Sequence, residues 1–188
     1  MMKMVKYYFN GVIKFEGEYL NGERNGKAKE YHENGKLKFE GEYLNGERHG
    51  KGKEFDHYGK LKFEGEYLNG KRWNGKGKEY DHYDKLKFEG EYLNGERNGK
   101  GKEYYYNGDL IFEGEYLKEK RWNGKGKEFD YKGKLIFEGE YLNGQKNGKG
   151  KEYIEDDILI FEGEYLNEKK WNGKGYDENG KRNGKGKE

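Results

Sequence analysis

The sequence of 188 residues contains no cysteine, serine or threonine. Without cysteine the chain can form neither a disulfide nor a thiolate metal site. The absence of all three residue types also removes the usual side-chain nucleophiles of hydrolases and acyl transferases. The sequence therefore predicts a protein that is not an enzyme, with no catalytic residue and no cofactor.

A long apolar segment is lacking as well. The first nine residues are too polar for a signal peptide, and no stretch approaches the roughly 20 apolar residues that cross a bilayer. We therefore expect a cytoplasmic protein, with peripheral attachment to a membrane as the alternative location.

The chain carries little net charge. Its 39 Lys and Arg residues nearly balance its 37 Asp and Glu residues, which leaves a net charge of +2. No field of one sign extends over the whole molecule, so nucleic acid is not expected as a partner.

Proline is absent, whereas glycine contributes 33 residues and aromatic residues make up 17% of the chain. The glycines stand at fixed offsets from the aromatic residues, because the hexapeptide Phe-Glu-Gly-Glu-Tyr-Leu occurs seven times at spacings of 24 or 25 residues. A fixed period of this length predicts a linear array of repeats. The seven copies begin at Phe15, Phe39, Phe63, Phe88, Phe112, Phe137 and Phe161.

Each repeat has the pattern of a β-hairpin. Residues alternate in character along 37–44 and again along 50–55, with the turn Asn45-Gly46-Glu47-Arg48 between them. Pairing about this turn predicts four cross-strand pairs: Glu40 with Lys53, Gly41 with Gly52, Glu42 with Lys51, and Tyr43 with Gly50.

The link between repeats predicts a second hairpin. Residues 33–36 have Asn-Gly at their centre, which is a strong hairpin signal. Pairing about this link sets Tyr43 opposite Gly26 and the two glutamates, Glu40 and Glu42, opposite lysines. Aromatic rings then cover bare glycine backbone on one face, and a ladder of Glu-Lys pairs forms the other face.

These patterns predict an all-β fold, in which tandem hairpins form an elongated, single-layer antiparallel meander with the shape of a twisted rod. We expect an N-terminal capping half-repeat in residues 1–14, seven tandem repeats in residues 15–175, and a degenerate tail or weak hairpin in residues 176–188.

The segment from Phe39 to Gly52, with its aromatic-x-Gly-x-aromatic strand and following Gly-x-x-x-Gly-x-Gly, resembles the MORN repeat (membrane occupation and recognition nexus). The resemblance extends from about Tyr7 to Gly175. It implies a hairpin-repeat fold and leaves the function open, because this family includes junctophilins, plant lipid kinases, methyltransferases and cytoskeletal scaffolds. The enzymes among them carry their chemistry in other domains, and no such domain is recognisable in this sequence.

One tyrosine of each repeat forms a row that a single-layer sheet is not expected to cover. An exposed apolar stripe of this size usually marks an interaction site. We therefore predict a groove that binds a peptide or helix of a protein partner, or a second copy of the chain as a homodimer. The groove residues are Tyr43, Tyr67, Tyr92, Tyr116 and Tyr141.

An inserted tryptophan distinguishes every second repeat. If the strand register is kept, the insertion lengthens the turn and exposes the tryptophan beside cations, which predicts a basic binding edge. The alternatives are local packing of these tryptophans and, for function, attachment to an anionic phospholipid membrane through the hairpin tips. The edge residues are Arg72, Trp73, Arg121, Trp122, Lys170 and Trp171.

Other candidate sites have weaker signals. The four histidines, His32, His49, His57 and His82, do not recur in every repeat, so no metal site is predicted. The paired carboxylates of Glu40 and Glu42 recur with matching lysines, which indicates a structural ladder rather than an acid-base pair.

Overall fold

The computed structural model of the chain describes residues 2–154 and 158–183. These residues contain fifteen strands of seven to ten residues and a sixteenth strand of two residues. No helix that could span a membrane occurs among them. The strands are β1 (Lys3–Phe9), β2 (Val12–Leu20), β3 (Glu23–Tyr31), β4 (Leu37–Leu44), β5 (Glu47–Phe55), β6 (Leu61–Leu68), β7 (Lys71–Tyr80), β8 (Leu86–Leu93), β9 (Glu96–Tyr104), β10 (Leu110–Leu117), β11 (Lys120–Phe129), β12 (Leu135–Leu142), β13 (Gln145–Ile154), β14 (Ile158–Leu166), β15 (Lys169–Tyr176) and β16 (Arg182–Asn183).

The chain divides into two units, residues 1–96 (unit 1) and residues 97–188 (unit 2). Within each unit every strand pairs antiparallel with the strand that follows it in sequence. This confirms the predicted all-β meander of hairpins.

The two ends of the array also contain strands. In the predicted capping segment, β1 pairs with β2, and Lys6 lies opposite Glu16. In the predicted tail, β16 adds two pairs to the end of β15. Residues 155–157 of the predicted array and 184–188 of the predicted tail lie outside the described residues.

The predicted register between repeats is confirmed. Tyr43 lies opposite Gly26, and Glu42 and Glu40 lie opposite Lys27 and Lys29. The same pairing recurs between β5 and β6, between β7 and β8, between β11 and β12, and between β13 and β14. Glutamate meets lysine and glycine meets tyrosine in each case, so a slip of one residue would break both sets of pairs.

The predicted register within a hairpin is only partly right. Gly41 lies opposite Gly52 as expected, but Tyr43 lies opposite Arg48 rather than Gly50. The turn contains two residues rather than four, because Asn45 and Gly46 both have positive φ, 49° and 84°, as a type I′ turn requires. The surplus residues 49–51 lie opposite a single residue of β4 and form a bulge.

The hairpins with an inserted tryptophan have a different register. Gly65 lies opposite Gly75, whereas the kept register would have placed it opposite Gly77. Trp73 is the one extra residue between the pairs Tyr67–Arg72 and Glu66–Asn74. The insertion is therefore absorbed by a slip of two residues, and the tryptophan lies within β7 rather than in the turn.

In each unit, aromatic side chains on one face of the sheet form the core. The Phe39 ring makes edge-to-face contacts with Tyr43 of its own repeat and Tyr67 of the next, at centroid distances of 5.6 and 5.0 Å. A Cβ built on Gly52 would lie 2.5 Å from Cζ of Phe39, so the ring occupies the space that a side chain would need. The equivalent fully buried phenylalanines are Phe15, Phe63 and Phe88 in unit 1 and Phe112 and Phe137 in unit 2.

Cationic side chains cover this aromatic core. The Arg48 guanidinium carbon lies 4.1 Å from the centroid of Phe39, and the Lys146 ammonium nitrogen lies 4.1 Å from that of Phe137. Arg48 also donates a hydrogen bond of 2.6 Å to Glu30, which accepts a second from Arg24. A layer of ion pairs thus closes the face that a single sheet would leave open.

The predicted exposed tyrosine stripe is therefore wrong. Tyr43, Tyr67, Tyr92 and Tyr116 are at most 9% exposed, and Tyr141 is partly buried. The prediction treated the sheet as the only cover, but phenylalanine rings contact each of these tyrosines edge-to-face. Arg24 and Arg48 also lie 5.7 and 5.9 Å from the centroids of Tyr43 and Tyr67. These five tyrosines are core residues and do not form the wall of an open groove.

The links between repeats are held by aspartate side chains. Oδ1 of Asp56 accepts hydrogen bonds from the backbone N–H groups of Tyr58 and Lys60, at 2.8 and 2.9 Å. Asp81, Asp130 and Asp177 make the same pair of contacts in their links. Such side-chain contacts fix the turn locally.

Replacing Gly52 by alanine should destabilise the fold by about 1–3 kcal/mol, because the new Cβ would overlap the Phe39 ring. The measurement is the midpoint of denaturant unfolding. Gly175→Ala is the matched control, since its Cβ would meet no atom within 4 Å. Its effect should stay within about 0.5 kcal/mol. Equal effects of the two substitutions would contradict the role of the close ring contact.

Deleting Trp73 should move the partner of Gly65 from Gly75 to Gly77. The shortened strand would read Arg-Asn-Gly-Lys, as β3 does from Arg24, and β3 has the register of the 24-residue repeats. Cross-strand nuclear Overhauser effects at Gly65 report the change. Trp73→Ala keeps the length and should keep the original pairing. A deletion variant with unchanged contacts would show that the insertion does not set the register.

Candidate functional site

The face opposite the aromatic core bears the charged side chains. Successive side chains of a strand point to opposite faces, so Glu40 and Glu42 lie on the reverse of Gly41. The same alternation places Lys51 and Lys53 on this face of β5. The residue between two charged residues points to the aromatic face, so the backbone of Gly41 and Gly52 lies between the charged rows on this face.

An open trough follows these rows in unit 1. It has a volume of about 860 Å³. Its floor is formed by the small residues at the centre of each strand: Gly17, Ala28, Gly41, Gly52 and Gly65. Its walls are formed by charged residues from β2 to β6, among them Glu16, Lys27, Lys29, Glu40, Glu42, Lys51, Lys53, Glu64 and Glu66.

Unit 2 contains an equivalent trough of about 740 Å³. Its floor includes Gly126, Gly139, Gly150 and Gly163, and its walls include Lys125, Lys127, Glu138, Glu140, Lys149, Lys151, Glu162 and Glu164. Ile111 also lines this trough. Both units thus contain a trough with a floor of small residues and walls of mixed charge.

The charged walls neutralise one another. Lys53 and Glu64 approach to 3.0 Å in unit 1, and Lys102 and Glu113 approach to 3.1 Å in unit 2. These side chains are roughly half exposed, so each pair adds little stability. Their alternation leaves a trough without a dominant charge, which favours binding of neutral or mixed-charge segments over polyanions.

A second aromatic row borders the troughs, and the sequence analysis missed it. Tyr31 donates a hydrogen bond of 2.8 Å to the trough residue Glu16, and Tyr153 donates one of 2.7 Å to Glu138. The signal was in the sequence, because Tyr31 follows Lys27 and Lys29 at intervals of two and shares their face. The row consists of the partly buried residues Tyr31, Phe55 and Tyr80 in unit 1 and Tyr104, Phe129 and Tyr153 in unit 2.

The predicted tryptophan edge is largely occupied by the protein itself. The Trp73 carbonyl accepts a hydrogen bond of 2.8 Å from the N–H of Gly95 in the next turn, and Trp122 makes the same contact with Gly144. A Cβ built on Gly144 would lie 3.5 Å from the Trp122 ring. Trp73 and Trp122 are partly buried, which favours the packing alternative for these two residues.

Trp171 differs from the other two tryptophans, since its side chain is 63% exposed. The turn that would cover it has no counterpart in the sequence, because Lys181 leads directly to Arg182 without a Phe-Glu-Gly-Glu strand. All three tryptophans were predicted to be exposed, and only Trp171 is.

The cations of the predicted edge lie against the core. Arg72 pairs with Glu54 at 2.9 Å, Arg121 pairs with Glu103 at 2.9 Å, and Lys170 pairs with Glu152 at 2.5 Å. Arg72 and Arg121 each lie 5.2 Å from a phenylalanine centroid. They cover the aromatic core rather than present a basic surface.

Several pKa values reflect this burial. Burial alone would raise the pKa of Glu30, but the hydrogen bond and charge of Arg48, with help from Tyr43 and Arg24, bring it below its ordinary value. The Tyr31 hydroxyl is the main cause of a lowered pKa of Glu16. Burial, followed by the Glu16 carboxylate, raises the pKa of Tyr31 to about 12.

Among residues 2–154 and 158–183, no cluster of three or more histidines and carboxylates could hold a metal ion. The carboxylates of the troughs recur from repeat to repeat with lysine neighbours.

The repeat pattern matches known family descriptions over more than half of the chain. A family described as MORN repeat variant matches residues 2–21, 24–45, 48–69 and 122–143. The family described as MORN repeat matches residues 39–55, 88–110, 137–157 and 178–188. The chain belongs to the MORN-repeat family. No curated protein matches this MORN-repeat chain significantly. Tandem MORN repeats are consistent with a scaffold for protein or membrane interaction.

Ionisation of the core tyrosines should lower the free energy of unfolding at alkaline pH. Burial is the main cause of the raised pKa of Tyr43, Tyr67, Tyr116, Tyr141 and Tyr165. A raised pKa in the folded state stabilises the fold below the unfolded value of about 10, and this stabilisation is lost as the pH rises further.

We therefore expect the denaturation midpoint to fall steadily above about pH 10. Unfolding followed between pH 8 and 12 measures this, and Tyr67→Phe should make the decline shallower because one ionising group is removed. A midpoint that stays level to pH 12 would contradict the link between tyrosine burial and stability.

Proposed function

We propose that this MORN-repeat protein is a non-enzymatic scaffold that binds a peptide segment of another protein in its two troughs. The observation that carries the proposal is the trough itself, an open channel with a floor of small residues on the face that the aromatic core leaves free. Because the core lies on the other face, a ligand can enter the trough without disturbing the packing of the fold.

The chemistry of the troughs supports a peptide ligand. Backbone atoms of Gly41 and Gly52 lie at the floor, where a bound chain can approach closely. The lysine and glutamate walls supply hydrogen-bond donors and acceptors for peptide groups. The bordering row supplies tyrosine and phenylalanine side chains, which are enriched where proteins bind one another.

A second contact is proposed at Trp171. This exposed ring lies two residues after the exposed Lys169, and an aromatic ring near a lysine suits a protein hot spot or the interface of an anionic membrane. Membrane attachment is the second candidate function. It predicts binding to vesicles with phosphatidylserine that falls at high salt and is lost in Trp171→Ala.

Selection from a displayed peptide library tests the trough proposal. Lys51→Trp and Lys149→Trp, combined in one variant, would place bulk in both troughs at exposed wall positions. Selected peptides should bind this variant at least tenfold more weakly than the wild type. The matched control combines Glu47→Trp and Gln145→Trp, which place the same bulk at exposed positions beside the turns.

Equal binding to the wild type and the trough variant would overturn the proposal. Loss of binding in the control alone would assign the contact to the hairpin turns instead. Light scattering on the same variants detects self-association, and a dimer that dissociates only in the trough variant would identify a second copy as the partner.

A further inference from the structure

The strand β1 combines an open edge with a cluster of exposed apolar side chains. Met4, Tyr7, Tyr8 and Phe9 are each more than half exposed. In the part of the chain that the structure describes, β1 pairs only with β2. The backbone N–H and C=O groups on its outer side therefore have no partner strand among these residues. Such an edge is a template for pairing with another chain.

One residue of β1 prevents another repeat from adding to this edge. Val5 lies opposite Gly17, at the position that Gly52 occupies in β5. A Cβ built on Gly52 would lie 2.5 Å from Cζ of Phe39 in the preceding strand, so the glycine leaves room for that ring. The inner strand β3 has Ala28 at this position, and valine adds two further methyl groups. A preceding Phe-Glu-Gly-Glu strand would therefore collide with β1.

A second copy of the chain can offer its own β1 to the same edge. Two identical antiparallel strands can be related by a two-fold axis perpendicular to the sheet, which keeps equivalent faces on the same side. A pair centred on Lys6 would set the two Lys6 side chains opposite each other, and like charges there are destabilising. A pair centred on Val5 avoids this, because Lys6 then lies opposite Met4 and Lys3 lies opposite Tyr7.

The register centred on Val5 also uses the strand more fully than the other registers without a lysine clash. It pairs residues 2–8 of one copy with residues 8–2 of the other. A pair centred on Met4 would leave Tyr8 and Phe9 without partners, and one centred on Tyr7 would leave Met4 beyond the paired strands. In the Val5 register Met2 meets Tyr8, and contacts between methionine sulfur and aromatic rings are favourable.

We propose that two copies of this chain associate by antiparallel pairing of their β1 strands, with Val5 of one copy opposite Val5 of the other. The pairing joins the two unit 1 sheets into one continuous sheet. Met4 and Lys6 line the trough of unit 1, so the unit 1 troughs of the two copies meet at the seam. The inference concerns a different surface from the peptide-binding proposal and does not depend on it.

Sedimentation equilibrium at several protein concentrations tests the proposal with a charge-swap pair. The wild type should approach twice the monomer mass as the concentration rises. Val5→Lys and Val5→Glu should each raise the dissociation constant of the dimer at least tenfold, because each sets like charges opposite each other at the centre of the pair. An equimolar mixture of the two variants should restore the dimer, which also shows that both variants fold.

Tyr131→Lys is the matched control, because Tyr131 is 92% exposed but lies in a link of unit 2. It should leave the dissociation constant unchanged. A wild type that stays monomeric at every concentration would overturn the proposal, as would a dimer that both Val5 variants retain. If library peptides still bind the troughs of a monomeric wild type, the scaffold function stands and only this inference fails.

The absence of cysteine from the chain allows the register to be tested by cross-linking. In Val5→Cys the two thiols lie directly opposite each other, within the Cα separation of about 4.4–6.8 Å that a disulfide spans. In Lys6→Cys the two positions lie diagonally, about 7–8 Å apart. Oxidation should therefore give the covalent dimer of Val5→Cys at least tenfold faster. Faster cross-linking of Lys6→Cys would show that the Val5 register is wrong.

Discussion

The fold depends on the close contact between a phenylalanine ring and the paired glycines of neighbouring strands. The Phe39 ring lies where side chains of Gly41 and Gly52 would be, with built Cβ positions only 2.7 and 2.5 Å from its Cζ atom. Because the ring lies this close to the backbone, a single sheet can bury it completely. Because the side chains alternate between faces, the same strands place their charged residues on the reverse face, where the backbone of these glycines forms the floor of the trough.

Local pattern was sufficient to predict much of this arrangement. The alternation of residues, the Asn-Gly links and the matching of glutamate with lysine predicted the strands and the register between repeats. A shift of one residue would place glutamate opposite glycine and move each aromatic ring to the charged face. The register within hairpins was not predictable in the same way. It depends on whether Asn45-Gly46 closes a turn of two or four residues and on where the surplus residues form a bulge, and side-chain pairing does not distinguish these choices.

The candidate site shows a similar limit. Tyr43 and Arg72 were assigned to binding surfaces because hairpin pattern alone does not reveal that side chains of one strand cover the ring of another. Arg48 over Phe39 is a contact between strands that depends on the bulge, and the bulge was not foreseen. The face of Tyr31, by contrast, follows from simple alternation after Lys27 and Lys29, but Tyr31 lies outside the repeated hexapeptide on which the predicted groove was based.

The bulge has a consequence for how such arrays change in length. Repeats of 24 and 25 residues present the same register to the following repeat, as β5 and β7 do, because the difference is confined to the pairing inside each hairpin. A gain or loss of one residue is therefore not passed along the array. Unequal recombination between repeats of different length can then yield chains that still fold. The sheet can therefore gain or lose whole hairpins without a change in the strand pairing between repeats.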